Sequence, residues 1–310
     1  MRVRFGIFGT FSRTLRPTVE VIAMKKPLVF LMVLLLLFSG MALAETETDA
    51  LAQYALQSDV SVEMDLDGDG TAETLVFRSV ADAENDAGYA EIQVTAAGGG
   101  VAVWTSETLF LPSAYACDLD GDGVVEIFVC GDWASADYAT YCLHYADGAL
   151  AELSFANASR GDDSEPYIGY GYGYIQSIGD NELALCGSQD VLGTYFGTRT
   201  FALQDGRFEF ADDGLWRFLM DEETWEYRSL TPTQNIAATF VEDGGQTEGE
   251  IAAGTRFVIT ASDKTSVAWF QTEDGREGYF SIAPDEERGW GCTVNGVPES
   301  ELFEMVPYAD

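Results

Sequence analysis

Histidine occurs once, at His144, and none of the five cysteines has CxxC spacing. Zinc sites and thiol–imidazole catalysis need clusters of these residues, so both classes are excluded. No GxSxG, HExxH, P-loop or dinucleotide fingerprint is present either, which leaves the common hydrolase and nucleotide-binding mechanisms without their signatures. Cations are scarce: 16 Lys+Arg stand against 52 Asp+Glu, a formal net charge of −36. A nucleic-acid or anionic-membrane surface needs clustered positive charge, and this chain has none to offer. What is abundant is apolar and aromatic content, 47% and 13%, which belongs to folded material and not to an acidic disordered chain.

The few cations are unevenly placed. Arg2, Arg4, Arg13, Arg16, Lys25 and Lys26 all precede an apolar run at 28–38, and residues 1–44 hold a single acid, Glu20. Met24-Lys25-Lys26 reads as a start, the run as a signal core, and Ala42 and Ala44 as small residues before cleavage at Glu45. The run is shorter than the ~20 residues of a membrane span, so no stable span is expected after cleavage. Beyond residue 44, ten cations face 51 acids, a formal charge of −41, and Lys264 is the only lysine. A secreted chain meets an oxidising exterior. Cys130 and Cys142 then either bridge a hairpin or remain buried free thiols, and the odd count of Cys117, Cys130, Cys142, Cys186 and Cys292 cannot pair fully.

The most informative residues are two acidic loops of identical spacing. Asp65-Leu66-Asp67-Gly68-Asp69-Gly70-Thr71-Ala72-Glu73 matches Asp118-Leu119-Asp120-Gly121-Asp122-Gly123-Val124-Val125-Glu126. Carboxylates at positions 1, 3 and 5 converge when glycine at position 6 allows a sharp turn. The carbonyl of Thr71 or Val124 and the carboxylate of Glu73 or Glu126 then complete an oxygen cage. A cation taking about six to eight oxygen ligands, calcium, suits it best, so two calcium sites are expected. An EF-hand would place an acid at position 12 and then a helix. The residues there are Val76 and Val129, inside runs of β-formers, so each loop enters a strand.

The pattern DxDGDGxxE followed by a hydrophobic strand resembles the FG-GAP/VCBS repeats of integrin-α-like β-propellers. The resemblance implies an all-β fold with calcium between the first two strands of each blade. The loops begin 53 residues apart, a period that fits one four-stranded blade. In the second unit 113–118, 125–130, 138–145 and 149–155 read as strands, with Asp147-Gly148 as a hairpin turn. A third unit follows: 182–187 repeats 126–131, and Asp205-Gly206 stands where Asp147-Gly148 did. Counting back from Glu182 puts Tyr174, Gln176 and Ile178 at cage positions 1, 3 and 5, so the third cage is expected to be lost. Closed propellers have about four to eight blades, so some three units over 58–212 imply an open or incomplete arc, or completion by a partner. The lead-in 45–57 has helical spacing at Leu51, Tyr54, Ala55 and Leu56 and is expected to cover one edge.

Residues 213–230 read as an aromatic linker with Trp216, Phe218, Trp225 and Tyr227. From 231 to 310 short strands at 236–240, 256–260, 267–270 and 278–280, with Asp274-Gly275 as a hairpin turn, resemble a bacterial SH3-like β-barrel with a C-terminal tail. That resemblance implies peptide or cell-wall glycan binding, with Trp269, Tyr279 and Trp290 as candidate groove residues. Trp269 and Phe270 fall on opposite strand faces, so one of them belongs to the core. Tyr170, Tyr172 and Tyr174 alternate with glycine and form a second candidate surface, a sugar-stacking face. His144 reads as a sheet residue, and Asn157-Ala158-Ser159 matches a glycosylation sequon. The expectation is a secreted, calcium-binding, non-catalytic binding or adhesion-type protein of a bacterial envelope. The alternatives are a calcium-locked scaffold completed by a protein partner, or a glycan-active hydrolase whose paired carboxylates hide among the acids.

Overall fold

A computed structural model describes residues 49–82, 87–135, 137–156, 167–242 and 244–309. The upstream extension, the signal peptide and the Asn157-Ala158-Ser159 sequon lie outside the described residues. The described part of the lead-in holds a helical turn, α1 (Asp49–Ala52), and a short strand, β1 (Ala55–Leu56). Among the described residues of 45–57, helical spacing thus gives way to a strand at Ala55. Leu51 and Tyr54 pack on one core cluster and Leu56 on another, and β1 completes the edge of the second sheet through Ala55↔Tyr115 and Leu56↔Ala114.

Three antiparallel meanders then follow in order among the described residues. The first is β2 (Ser61–Met64), β3 (Glu73–Asp82), β4 (Ala87–Thr95) and β5 (Val101–Thr105). The second is β6 (Phe110–Cys117), β7 (Glu126–Asp132), β8 (Tyr138–Ala146) and β9 (Ala149–Glu152). Short strands β10 (Ser154–Ala156), β11 (Tyr167–Ile168) and β12 (Gly171–Tyr172) lead to the third. It consists of β13 (Tyr174–Gly179), β14 (Glu182–Asp190), β15 (Thr194–Gln204) and β16 (Arg207–Phe210). The strand expected over 149–155 is broken at Leu153, whose N–H bonds Cys142 O at 2.8 Å. Beyond that break β10 leaves the second sheet and runs parallel to β16 of the third.

Burial explains the different sequence patterns of equivalent strands. Along β7, Ile127 and Val129 join a cluster with Leu75 and Ile92, while Phe128 and Cys130 join one with Leu183, Leu185 and Phe208. A strand buried on both faces reads as a continuous apolar run. By contrast β3 alternates, with Leu75 and Phe77 buried and an outer face of mixed character on which Arg78 pairs with Glu91 and Thr74 Oγ1 bonds Glu63 Oε1 at 2.7 Å. Each buried Leu, Ile or Phe contributes about 1.5–3 kcal/mol. The hairpin turns Asp147-Gly148, Asp205-Gly206 and Asp180-Asn181 all hold both residues at φ between 50° and 77°, the type I′ geometry that matches strand twist.

Residues 213–230 hold β17 (Trp216–Phe218) and α2 (Glu222–Tyr227), the latter capped by Asp221, which accepts from Thr224 N. The remaining elements are β18 (Ile236–Glu242), β19 (Gly245–Ile251), β20 (Phe257–Ser262), β21 (Val267–Thr272), β22 (Glu277–Pro284), β23 (Cys292–Val294), β24 (Val297–Pro298) and α3 (Glu299–Leu302). Strand β17 pairs with β15 on one side and β20 on the other, so the third meander and the C-terminal strands share one 14-stranded sheet. Its core includes Trp216, Phe218, Phe240, Phe257, Phe270 and Phe280. The chain is all-β with several sheets, and none closes into a barrel among the described residues. All five cysteines are free: Cys130 faces Thr140 and Cys142 faces Phe128 across the β7–β8 ladder, so the two thiols sit on offset pairs.

Candidate metal centres

Each acidic loop folds around its own carboxylates. In the first, Asp65 Oδ2 accepts from Gly70 N at 2.8 Å, Asp67 Oδ1 from Asp69 N at 3.3 Å and Asp69 Oδ1 from Thr71 N at 2.7 Å. The second repeats these bonds: Asp118 Oδ2 with Gly123 N at 3.1 Å, Asp120 Oδ1 with Asp122 N at 3.2 Å and Asp122 Oδ1 with Val124 N at 2.7 Å. Gly68, Gly70, Gly121 and Gly123 all sit at φ between 74° and 91°, a region that penalises any residue with a Cβ. The DGDG spacing therefore specifies the turn as well as the ligands.

The glutamate at position 9 closes each loop from inside. Glu73 Oε2 accepts from Leu66 N at 3.0 Å, and Glu126 Oε2 from Leu119 N at 2.9 Å, with both glutamates buried. Leu66 and Leu119, at position 2, turn their side chains into the two clusters that flank β7. Nothing in the ligand pattern marks these leucines. The available signal was an apolar residue at position 2 of both copies.

The carboxylate oxygens of Asp65, Asp67 and Glu73 lie within 4.8 Å of one another, as do those of Asp118, Asp120 and Asp122. Asp69 and Glu126 do not join these groups. Like charges this close repel unless a cation or protons intervene. Asp65 Oδ1 is buried with no hydrogen-bond partner among the described residues, although its loop is rich in donors. That orphaned acceptor fits a hard cation held by oxygen ligands. In the second loop the stress falls on Glu126, whose carboxyl is pushed up to about 7 by burial, opposed by the Leu119 N–H and reinforced by Asp120 and Asp122. Burial, Glu126 and Asp118 together push the adjacent Cys117 thiol up to about 12, which leaves it unreactive.

The two loops touch. Val125 N donates to Leu66 O at 3.0 Å, and a Cβ on Gly68 would meet Gly123 O at 3.0 Å. One meander further on, Asn181 N donates to Leu119 O at 3.1 Å. Val125 precedes Glu126 and Asn181 precedes Glu182, so successive meanders meet through the same hydrogen bond. The third loop, however, is absent as a loop. Tyr174–Gly179 is a strand paired with β14, and only the Asp180-Asn181 turn separates them. The counting that put Tyr174, Gln176 and Ile178 at cage positions assumed a loop of conserved length, and the chain has replaced it by a turn.

The expected aromatic surfaces fare differently. Tyr170 packs edge-on against Trp133 with ring centroids 4.6 Å apart, Tyr174 against Tyr138 at 5.2 Å, and Tyr172 against Trp216 at 6.3 Å. The strand β12 is only two residues long, and the three tyrosines pack on three different clusters, with Tyr170 and Tyr172 lining one cavity that Tyr174 does not reach. Trp269 and Tyr279 do face each other across the β21–β22 ladder, 4.9 Å apart, and of Trp269 and Phe270 it is Phe270 that turns into the core. Trp290 lies instead against Arg288 and Tyr308. His144 sits in β8 opposite Ala151. Compared with known proteins, the chain matches no family model, no curated protein and no solved structure.

Proposed function

We propose that the chain is a secreted, calcium-stabilised, non-catalytic binding or adhesion-type protein: an open arc of propeller-like blades continued by an SH3-like module. The observation that carries this reading is the orphaned Asp65 Oδ1 inside a carboxylate cluster whose loop geometry is duplicated at Asp118. Asp65, Asp67, Asp69 and Glu73, with the Thr71 carbonyl, would hold one ion. Asp118, Asp120, Asp122 and Glu126, with the Val124 carbonyl, would hold the other. The ions supply charge neutralisation where carboxylates are gathered, and they tie each loop to the strand that begins at its glutamate. Binding is therefore coupled to folding of the meander junctions.

The propeller-like description draws support from three successive meanders joined by a repeated junction bond. The SH3-like description rests on short antiparallel strands and the Asp274-Gly275 hairpin. Among the described residues no helix is long and apolar enough to cross a membrane, and export rests on the sequence at 24–44. A binding role in place of a catalytic one rests on the missing catalytic signatures and on the employment of the patterned aspartates in loops.

Calorimetric titration of the chelated protein with calcium chloride tests the reading. Two sites are expected, with Asp67→Ala and Asp120→Ala each removing one. A flat titration, together with a melting temperature indifferent to EDTA, would sink it.

A further inference from the structure

Two cations, Arg199 and Lys264, line a cavity away from the acidic loops. This cavity, of about 280 Å³, opens between the β12 edge of the second sheet, the third meander and the turn before β21. That volume lies near the lower limit for small-molecule sites, suiting a ligand about the size of one sugar or amino-acid residue. Its walls include Tyr172, Gln189, Arg199, Phe201, Trp216 and Lys264.

Hydrogen-bond donors dominate this lining. Gln189 and Trp216 are each 1% exposed, and neither Gln189 Nε2 nor Trp216 Nε1 has a hydrogen-bond partner among the described residues. Buried donors are almost always satisfied, so two on one cavity wall point to a ligand that accepts. Arg199, 3% exposed, lays its guanidinium over Phe210 at 4.8 Å and Trp216 at 4.6 Å, which holds its donor fork in a fixed plane. Burial lowers its pKa to about 9, against the pull of Asp263, Asp212 and Asp213, so it stays charged at neutral pH. Two of those acids serve elsewhere as well: Asp213 bonds Arg217, and Asp263 accepts from Thr265, Ser266 and Val267. That Asp263 turn presents Lys264 in the left-handed region, φ 71°, with its ammonium 6.0 Å above the Tyr172 ring. A strained non-glycine residue beside a cavity is where functional geometry concentrates. The acids on the same wall have donors of their own, since Asp137 takes the Tyr172 hydroxyl and Asp190 takes Thr194 Oγ1.

We propose that this cavity binds a small ring-bearing monocarboxylate. Its carboxylate meets Arg199, Lys264 and the Trp216 N–H, and its ring lies against Tyr172. Planar guanidinium and carboxylate match in a two-point contact, and the unsatisfied Gln189 and Trp216 donors on the same wall call for an acceptor. The site draws on none of the loop carboxylates and does not depend on the calcium reading.

Uronic acids and aromatic acids share the required chemistry, and calorimetry in calcium buffer separates them. The probes are glucuronate with glucose as its neutral control, and benzoate with benzamide. Saturable binding of one acid, at least tenfold tighter than its neutral control, is expected. Lys264→Asn keeps a residue tolerant of positive φ and should weaken that binding about tenfold with no change in melting temperature. Arg199→Met, which preserves contact with the aromatic rings, should abolish it. If neither acid binds, if acid and neutral control bind alike, or if Lys264→Asn leaves affinity unchanged, the assignment is overturned.

Discussion

The first two meanders enter their second strand through acidic loops, residues 65–72 and 118–125, whereas the third enters through the two residues Asp180-Asn181. The contact made with the preceding meander is nonetheless preserved. Leu66 O receives Val125 N, and Leu119 O receives Asn181 N, at 3.0 and 3.1 Å. Stacking of one meander on the next therefore does not require an acidic cage on the incoming one. What the cage adds is a concentration of like charge that a short turn avoids, and with it a dependence on something to neutralise that charge.

Removing calcium should break this comparison most severely. Each site held about a hundredfold above its Kd contributes about 2.7 kcal/mol, so two contribute roughly 5 kcal/mol, and EDTA should lower the melting temperature by several degrees or more in a scanning calorimeter. Hydrogen exchange should locate the loss at the first two junctions, with β13–β14 amides least affected. Equal loss across all three meanders would mean that the cages are not local. Next in size is Leu66→Ala, which empties a fully buried position and should cost about 2–5 kcal/mol by denaturant titration with or without calcium.

The pH dependence of the chelated protein comes third. The carboxyl of Glu126 is pushed up to about 7 from its ordinary value, so the folded state binds its proton more tightly than the unfolded chain does. Its contribution to stability is present below about pH 4.5 and is lost as pH rises through about 7, by at most roughly 3 kcal/mol. In EDTA, Glu126→Gln should flatten that slope while keeping an acceptor for Leu119 N. An unchanged slope would place the titration elsewhere. Smaller again are the glycines. Gly68→Ala meets Gly123 O in addition to a positive φ, and Gly70→Ala meets nothing within 4 Å. The first should cost more than the second, which should lose only the roughly 1–2 kcal/mol of left-handed backbone. At the cage-free turn, Asn181→Gly relaxes a positive φ, keeps the backbone donor to Leu119 O, and should shift stability by less than about 1 kcal/mol with no calcium dependence.

Much of the local structure was legible in the sequence. The two DxDGDGxxE loops, the turns at Asp147-Gly148, Asp205-Gly206 and Asp274-Gly275, most strands of the second meander and β14 of the third fall where residue pattern puts them. Errors came where long-range pairing overrode a local signal. The helical spacing of 45–57 yields to the open edge of β6, and the single strand over 149–155 splits so that Phe155 can stack on Phe208, 4.4 Å away. Strand β19 was not anticipated because its exposed, polar residues carry no apolar alternation and are held by the β18 ladder. Alternating tyrosines and glycines suggested one face, and the chain distributes them to three cores.

The sequence by itself determined what acts within a few residues: the sign of φ at the loop glycines, the convergence of carboxylates, and the turns that make each meander antiparallel. These depend on sterics and charge over short spans and are the same wherever the segment lies. Only the tertiary structure decided that β17 would weld the third meander to the C-terminal strands. It also decided that Gln189, Arg199, Trp216 and Lys264 would line one cavity. Those groupings depend on which buried faces meet, and a buried strand presents the same apolar pattern to any partner of suitable shape.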